Sequence, residues 1–259
     1  MNSNKTVFVT AGGTGGHVFP AKALANKLSL NGHEVHFLTD DRGNRYLDKN
    51  IDPFQIHTLK SGHFSTGLMG KLKSVFKILE GIRFAYALFK NNAPQLVVSF
   101  GGYATFPTLI CAVLTRTPFI LHEQNTILGR VNKLFHKKAL RLLLSYPIKN
   151  ANFNPKDIVG MPARDEFYGA RENFTSFQQD NAKPFKLAVI GGSQGAAVFS
   201  EKLPKALSQL SENEREHLFI TLQSPSSLIE KTKIVYNNLK IKHEIKPFFD
   251  NVSNVIFWV

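Results

Sequence analysis

Residues 7–21, VFVTAGGTGGHVFPA, place an apolar, β-branched strand directly before a turn with four glycines in five positions, Gly12–Gly16. Glycine lets the backbone turn tightly and lets a ligand approach it closely. The helix that follows offers free N–H groups and the positive end of its dipole, which suits a phosphate. The pattern therefore predicts a strand, a phosphate-binding turn and a helix; a plain tight turn is the structural alternative.

Two well-known nucleotide-binding motifs do not fit this turn. The dinucleotide fingerprint G-x-G-x-x-G/A, started at Gly13 and Gly15, fails at Val18, and no G-K-[ST] follows as a P-loop requires. Asp40 ends the second predicted strand, where a ribose-binding acid would stand, but without the fingerprint it is interpreted as a turn residue. A nicotinamide-dependent oxidoreductase is disfavoured, and no cofactor is predicted.

Strands and helices alternate along the chain, which predicts parallel sheets covered on both faces. Strands are predicted at residues 6–10, 34–39, 95–100, 118–122, 140–145 and 158–160, and helices at 20–30, 68–90, 105–114 and 128–138. The alternation restarts with strands at 185–190, 217–223 and 241–245, helices at 194–210 and 225–239, and a helix start at 251. We predict an α/β protein of two Rossmann-like, doubly wound domains: 1–165, a linker at 166–183, and an incomplete second domain at 184–259.

Composition narrows the class of partner. The 259 residues carry 32 Lys and Arg against 19 Asp and Glu, a formal charge of +13, with a pI near 9.8. This excess predicts an anionic partner: nucleic acid, an acidic membrane surface or a phosphorylated substrate. The single cysteine, Cys111, excludes an internal disulfide framework and any multi-cysteine metal site. With no signal peptide and no 18-residue apolar run, we expect a soluble, cytoplasmic protein whose membrane contact is peripheral.

Three further loops follow predicted strands, at the edge where open α/β sheets bind ligands. They are Gly101-Gly102-Tyr103, His122-Glu123-Gln124-Asn125 and Gly191-Gly192-Ser193-Gln194-Gly195-Ala196. His122 and Glu123 are candidates for acid–base groups, or alternatively orient neighbouring loops. Ser193 is a candidate helix cap or phosphate contact.

Together with residues 11–20, these loops closely resemble, in the same order, the MurG family of bacterial N-acetylglucosaminyltransferases, which are GT-B glycosyltransferases of the GT28 type. The resemblance implies two Rossmann-like domains facing a cleft. It implies inverting transfer of N-acetylglucosamine from UDP-N-acetylglucosamine to lipid I, undecaprenyl-diphospho-muramoylpentapeptide, which forms lipid II for cell-wall synthesis, cell shape and division. It also implies no metal, and the chain has no Asp-x-Asp pair.

The resemblance further assigns site residues. Ligand contacts in the cleft are implied for Thr14, Gly15 and Gly16, and nucleotide-sugar contacts for Asn125, Arg164, Ser193 and Phe249. Further candidates on the acceptor side are Gly102, Tyr103, His122, Glu123 and Gln124. His17 is the candidate base or acceptor-orienting residue, with a structural cap of the helix as the alternative.

The chain departs from the family at its end. The family continues beyond Trp258 with residues for the donor ribose and sugar, so we expect an incomplete donor site, arising from a truncated product or from a frameshifted or split gene. The alternative function is a catalytically inactive remnant that binds the lipid-linked acceptor or the membrane only.

Basic residues cluster beside an apolar helical stripe. Spaced as one helix face, the stripe consists of Leu68, Leu72, Val75, Phe76 and Leu79, with Lys73 and Lys77 on the other face. This is the pattern of a basic amphipathic helix, which either packs its stripe on the sheet or lies on anionic lipid. The lipid-linked acceptor that the resemblance implies favours the second, a peripheral helix at the cytoplasmic face of the inner membrane. Nucleic acid is disfavoured because no zinc-finger or RNP-type motif is present.

Overall fold

The computed structural model describes residues 4–61, 68–149, 154–167, 184–192, 197–249 and 252–258. The chain divides into two compact units, Met1–Arg164 and Asp165–Val259. Ser193, the predicted helix start at Gln194 and most of the predicted linker lie outside the described residues.

The first unit is built on one six-stranded parallel sheet. Its strands are β1 (Thr6–Thr10), β2 (Glu34–Thr39), β3 (Gln55–Thr58), β4 (Leu96–Ser99), β5 (Phe119–Glu123) and β6 (Arg141–Leu144). Its helices are α1 (Gly15–Leu30), α2 (Asp41–Asn44), α3 (Leu68–Asn92), α4 (Phe106–Leu114) and α5 (Arg130–Phe135). The strand order β3-β2-β1-β4-β5-β6 reverses direction between β1 and β4, the topological switch point of a doubly wound sheet.

Successive side chains of the central strand β1 point to opposite faces of the sheet, and each face carries its own hydrophobic core. Phe8 packs into a cluster with residues of α3, α4 and α5, whereas Val7 and Val9 pack against Val18 and other buried residues of α1. β1 pairs with β2 and β4, so both of its edges are hydrogen-bonded. The helices on the two faces of the sheet bury its residues 7–10. The predicted coverage of both faces is confirmed here.

Several predicted boundaries in this unit are wrong. Strand β3 and the short helix α2 were not predicted, because Gln55–Thr58 is a partly exposed edge strand with weak alternation. The predicted strand at 158–160 is only an isolated bridge between Ile158 and Leu144. Helix α1 begins at Gly15 rather than at residue 20, so its first turn lies inside the glycine-rich turn.

The second unit carries a three-stranded parallel sheet. Its elements are β7 (Phe185–Val189), α6 (Ala197–Leu207), α7 (Glu212–Glu216), β8 (Leu218–Gln223), α8 (Ile229–Asn238), β9 (Lys242–Lys246) and α9 (Val252–Trp258). The order is β7-β8-β9, with Ile220 and Leu222 of the central strand fully buried. Helix α7 was missed in the sequence, although Ser211 and Glu214 form a capping box there.

Helix α3 packs through a face other than the predicted apolar stripe. Ser74, Gly81, Ala85 and Phe89 are buried, whereas the side chains of Leu72, Val75, Phe76 and Leu79 are exposed, Phe76 to 74%. The alternative in which the stripe packs on the sheet is therefore wrong. The side chain of Leu68 lies outside the described part of the chain. Within that part, no helix is both long and apolar enough to span a bilayer.

Candidate active site

A cavity of about 380 Å³ opens in the first unit where β1 and β4 end. Its walls combine the two glycine turns with the segment that follows β5. The lining residues are Gly12, Gly13, Thr14, His17, Asp40, Arg42, Gly101, Gly102, Tyr103, Glu123, Asn125, Gly129, Arg130, Val131 and Asn132. The cavity thus lies at the switch point, where doubly wound sheets bind their ligands.

Asp40 holds the first glycine turn in shape. Its Oδ1 accepts hydrogen bonds from the amides of Gly13, at 3.0 Å, and Gly43, at 2.9 Å, and the Ser61 hydroxyl donates to Oδ2 at 3.3 Å. Gly13 has a φ of +86°, and no atom lies within 4 Å of the Cβ position. Asp40 is therefore the turn residue that the sequence indicated, and it occupies the amide N–H of Gly13, a residue that lines the cavity.

The first turn of α1 is suited to an anion. Thr14 occupies the N-cap position in an extended conformation and makes no side-chain cap hydrogen bond, and no acidic residue lies in the first turn. Gly15 is buried and Gly16 is exposed. Thr14 lines the cavity, so the N-terminal end of α1, which carries the positive end of the helix dipole, lies beside it.

Glu123 anchors the loop after β5. It is 1% exposed, and both of its oxygens are used within the chain. Oε1 accepts from the backbone amide and the side-chain Nδ2 of Asn125, and Oε2 accepts from the Gly129 amide and from Nδ2 of Asn132 at 2.8–3.1 Å. Four donors occupy this carboxylate, so its geometry is that of a loop-orienting residue.

His17 is joined to His122 through Gln124. The Oε1 atom of Gln124 lies 2.8 Å from Nδ1 of His17, and its Nε2 lies 3.0 Å from Nδ1 of His122. Nε2 of His122 is 2.9 Å from the carbonyl oxygen of Gly160. Burial lowers the pKa of His122 below its ordinary value, against the opposing effects of the Gly160 hydrogen bond and of Glu123.

Positive charge is also present at the cavity. Nη1 of Arg130 donates to the Tyr103 hydroxyl at 3.0 Å. Arg42, in the short helix α2 that follows β2, also lines the cavity. Both side chains can approach an anionic ligand in the cavity. The predicted acceptor-side residues Gly102 and Tyr103 thus line the cavity together with these two arginines.

Arg164 and Phe249 are not among the residues that line this cavity. The Arg164 guanidinium lies 5.1 Å from the ring centroid of Phe19, in helix α1. Phe249 belongs to the second unit, where it is buried and has the Lys246 ammonium 5.7 Å from its ring centroid. Gly192, in the second glycine turn, accepts a hydrogen bond from Gln223 at 3.4 Å.

Sequence reasoning did not single out Arg42 or Asn132. Asn132 is 2% exposed and donates to the carbonyl oxygen of His122 and to Glu123. A helical projection of residues 130–135 places Asn132 on the same face as the apolar Val131 and Phe135. A polar residue on an apolar face is the signal that could have identified it. Among the described residues, no three His, Cys, Asp or Glu side chains form a group that could hold a metal ion.

Comparison with known proteins places this site in a family. Residues 7–144 match the glycosyltransferase family 28 N-terminal domain, and residues 186–259 match the glycosyltransferase family 28 C-terminal domain. The chain belongs to glycosyltransferase family 28. The cavity described above lies in the part that matches the N-terminal domain of family 28.

Two curated relatives of this chain share one enzyme name. A Bartonella henselae protein is 35% identical over 255 residues, which cover 98% of this chain and 67% of the relative. A Zymomonas mobilis protein is 34% identical over 262 residues, covering 100% and 67%. Both are named UDP-N-acetylglucosamine–N-acetylmuramyl-(pentapeptide) pyrophosphoryl-undecaprenol N-acetylglucosamine transferase. The family 28 chain thus spans about two thirds of the length of these relatives.

Solved structures confirm the predicted GT-B fold class. Acinetobacter baumannii MurG superposes with a TM-score of 0.69 at 31% identity, covering 96% of this chain and 70% of that one. The calicheamicin glycosyltransferase CalG4 superposes with a TM-score of 0.60 at 13% identity, covering 97% and 71%, which supports the fold alone. The resemblance to the MurG family, carried by the glycine turns and the His122–Asn125 segment, is confirmed.

Proposed function

We propose that this chain transfers N-acetylglucosamine from UDP-N-acetylglucosamine to lipid I, with inversion at the anomeric carbon, to give lipid II in peptidoglycan synthesis. The observation that carries the proposal is the cavity at the ends of β1 and β4. It brings a histidine, two arginines and an acid-free helix N-terminus together in a family 28 chain. The enzyme name of the relatives supplies the substrates.

The proposed reaction is a single displacement. Nε2 of His17 takes the proton of the acceptor hydroxyl, whose oxygen forms a bond to the anomeric carbon of the donor sugar. The bond from that carbon to the diphosphate oxygen breaks, and UDP leaves with the bonding electrons. His17 lines the cavity, and its Nε2 has no hydrogen-bond partner among the described residues, so it is available as a base.

Phosphate charge is proposed to lie at the glycine turns. Thr14, Gly102, Tyr103 and Arg130 line the cavity. Gly15 and Gly16 are not among its lining residues and are proposed to contribute through the N-terminal end of α1. Asn125, Arg164, Ser193 and Phe249 are the proposed nucleotide-sugar contacts. His122 and Glu123 spend their polar atoms on the chain itself, which supports an orienting role for both.

We also propose that helix α3 docks on an anionic membrane. Its exposed stripe of Leu72, Val75, Phe76 and Leu79 is flanked by the exposed Lys73 and Lys77. An apolar stripe with a basic flank is the pattern of an interfacial helix. Docking of this kind at the cytoplasmic face of the inner membrane would bring the enzyme to a lipid-linked acceptor.

A transfer assay separates this function from the second candidate. The second candidate is a chain that binds the lipid-linked acceptor or the membrane without transfer, and the match to only two thirds of each relative is the observation that favours it. The full chain is incubated with sugar-labelled UDP-N-acetylglucosamine and a soluble lipid I analogue. A β-linked labelled product supports the proposal, and saturable acceptor binding without product supports the second candidate. Absence of both binding and product would overturn the two together.

A further inference from the structure

We propose that Gln124 is a positioning residue that holds His17 in the Nδ1–H tautomer, so that the lone pair of Nε2 is presented to the cavity. The tautomer follows from the hydrogen bonds of the chain alone. Its catalytic consequence rests on the proposed function.

The orientation of the Gln124 amide is determined by a backbone carbonyl. Its Nε2 lies 3.2 Å from the carbonyl oxygen of His122 and 3.0 Å from Nδ1 of the same residue. A carbonyl oxygen can only accept a hydrogen bond, so the atom facing it must be the amide nitrogen. A flipped amide would set two acceptor oxygens against each other.

His122 agrees with this orientation. Its Nε2 faces the Gly160 carbonyl oxygen at 2.9 Å and must therefore be protonated. The neutral ring then has an acceptor at Nδ1, where the second N–H of Gln124 donates. Both N–H groups of the amide are thereby used, and Oε1 is left to face His17.

The consequence for His17 is a defined tautomer. Oε1 of Gln124 is an acceptor and lies 2.8 Å from Nδ1 of His17, so Nδ1 must carry the proton. Which ring nitrogen is protonated is set by the hydrogen bond that the other makes. Neutral histidine free in water favours the opposite, Nε2–H tautomer, in which Nε2 could not accept a proton.

The positioning also acts after proton transfer. When Nε2 takes the proton of the acceptor hydroxyl, His17 becomes an imidazolium whose Nδ1–H still donates to the uncharged Oε1 of Gln124. Gln124 is not among the residues that line the cavity, so it orients the base and stabilises the imidazolium through His17 and not as a direct substrate contact. The contact joins residues 107 positions apart in the chain.

Nitrogen NMR of the full chain, labelled at histidine and without substrate, measures the tautomer directly. The His17 signals are assigned by their loss in a His17→Gln variant and recorded at a pH where the ring is neutral. We expect Nδ1–H for the wild-type chain, and a majority of Nε2–H at His17 would overturn the inference by itself.

Two variants test whether Gln124 is what sets the tautomer of His17. Gln124→Met keeps the length of the side chain and removes its polar atoms, so His17 should shift to mostly Nε2–H. His122→Asn is the matched control: its Oδ1 stands where Nδ1 was, the backbone carbonyl remains, and His17 should stay Nδ1–H. An unchanged tautomer in Gln124→Met, with the fold verified by its thermal melt, would overturn the role of Gln124.

The catalytic consequence has a separate readout. Gln124→Met should lower kcat by at least about tenfold with little change in the KM for UDP-N-acetylglucosamine. A changed tautomer with unchanged kcat would overturn the catalytic half. The predicted tautomers in a wild-type chain without transfer activity would support the positioning of His17 and count against the proposed function instead.

Discussion

Gly102 packs directly on Gly12: a Cβ at Gly102 would stand 2.5 Å from the Gly12 carbonyl oxygen. The two glycine turns, one after β1 and one after β4, are therefore in backbone contact beneath the cavity. Gly102 also has φ +89° and ψ 158°, a region that is essentially restricted to glycine. Both the conformation and the close approach thus require glycine here.

Gly102→Ala should consequently destabilise the chain by about 3 kcal/mol or more, because the methyl group meets backbone atoms that cannot move aside. Gly160→Ala is the matched control, since Gly160 has φ +76° but nothing within 4 Å of its Cβ position; its cost should be about 1–2 kcal/mol. Urea unfolding of both variants measures the difference. Equal losses of stability would show that the contact between the turns does not matter.

Glu123→Gln should destabilise the first unit by about 2–4 kcal/mol, because its amide nitrogen would face two of the four donors that the buried carboxylate now satisfies. Glu230→Gln, which changes an exposed residue paired with Lys233, should alter the free energy of unfolding by less than about 1 kcal/mol. A Glu123→Gln chain as stable as the wild type would contradict the anchoring role.

Acid should destabilise the chain through His57. Burial, with smaller contributions from His36 and Lys49, lowers the pKa of His57 from 6.5 to about 4. Between these two values the unfolded chain binds a proton that the folded chain does not, so the stability contribution is present above pH 6.5 and is lost as the pH falls towards 4. Because the ring is partly solvent-exposed, we expect the loss to be about 1–2 kcal/mol.

His57→Gln removes this titration and keeps a donor for the His36 ring, which lies 2.9 Å from Nε2 of His57. The free energy of unfolding, measured from pH 4 to 7, should rise less steeply in this variant than in the wild type. A residual slope is expected from His122, whose pKa is also lowered by burial. Parallel curves for the two proteins would contradict the assignment to His57.

Membrane docking should depend on α3. Lys73→Gln with Lys77→Gln should weaken binding to anionic vesicles about 30-fold, at about 1 kcal/mol per charge, and Phe76→Ser about tenfold through lost apolar contact. Ile234→Ser, at an exposed apolar position on α8 (60% exposed, against 74% for Phe76), is the control and should change binding less than twofold. Binding that is insensitive to salt and to the α3 variants would refute this surface.

The sequence predicts those elements that are formed by residues adjacent in the chain. Strand β1 and its glycine turn were predicted because an apolar run and glycines adjoin in sequence. The packing face of α3 was not predicted. This face includes Gly81, where a Cβ would stand only 2.3 Å from the Lys60 carbonyl oxygen. Close approach selected small residues, whereas the pattern of large apolar residues pointed to the exposed side.

In the candidate site, too, the residues could be predicted from sequence but their contacts could not. The motifs that carry His17, Gly102 and Glu123 were visible in sequence, since each follows a strand of the sheet. Their partnerships were not, because the contact of His17 with Gln124 depends on how β1 and β5 are placed in one sheet. Only the tertiary structure shows which polar atoms face the cavity and which are spent on the chain.

The most direct test of the account is the turnover of His17→Ala in the transfer assay, at saturating UDP-N-acetylglucosamine and acceptor analogue. Removal of a general base should lower kcat by about 10²–10⁴-fold, while the thermal melt and acceptor binding stay close to those of the wild-type chain. Wild-type transfer with near-normal turnover in His17→Ala would contradict the assignment of His17 as the base.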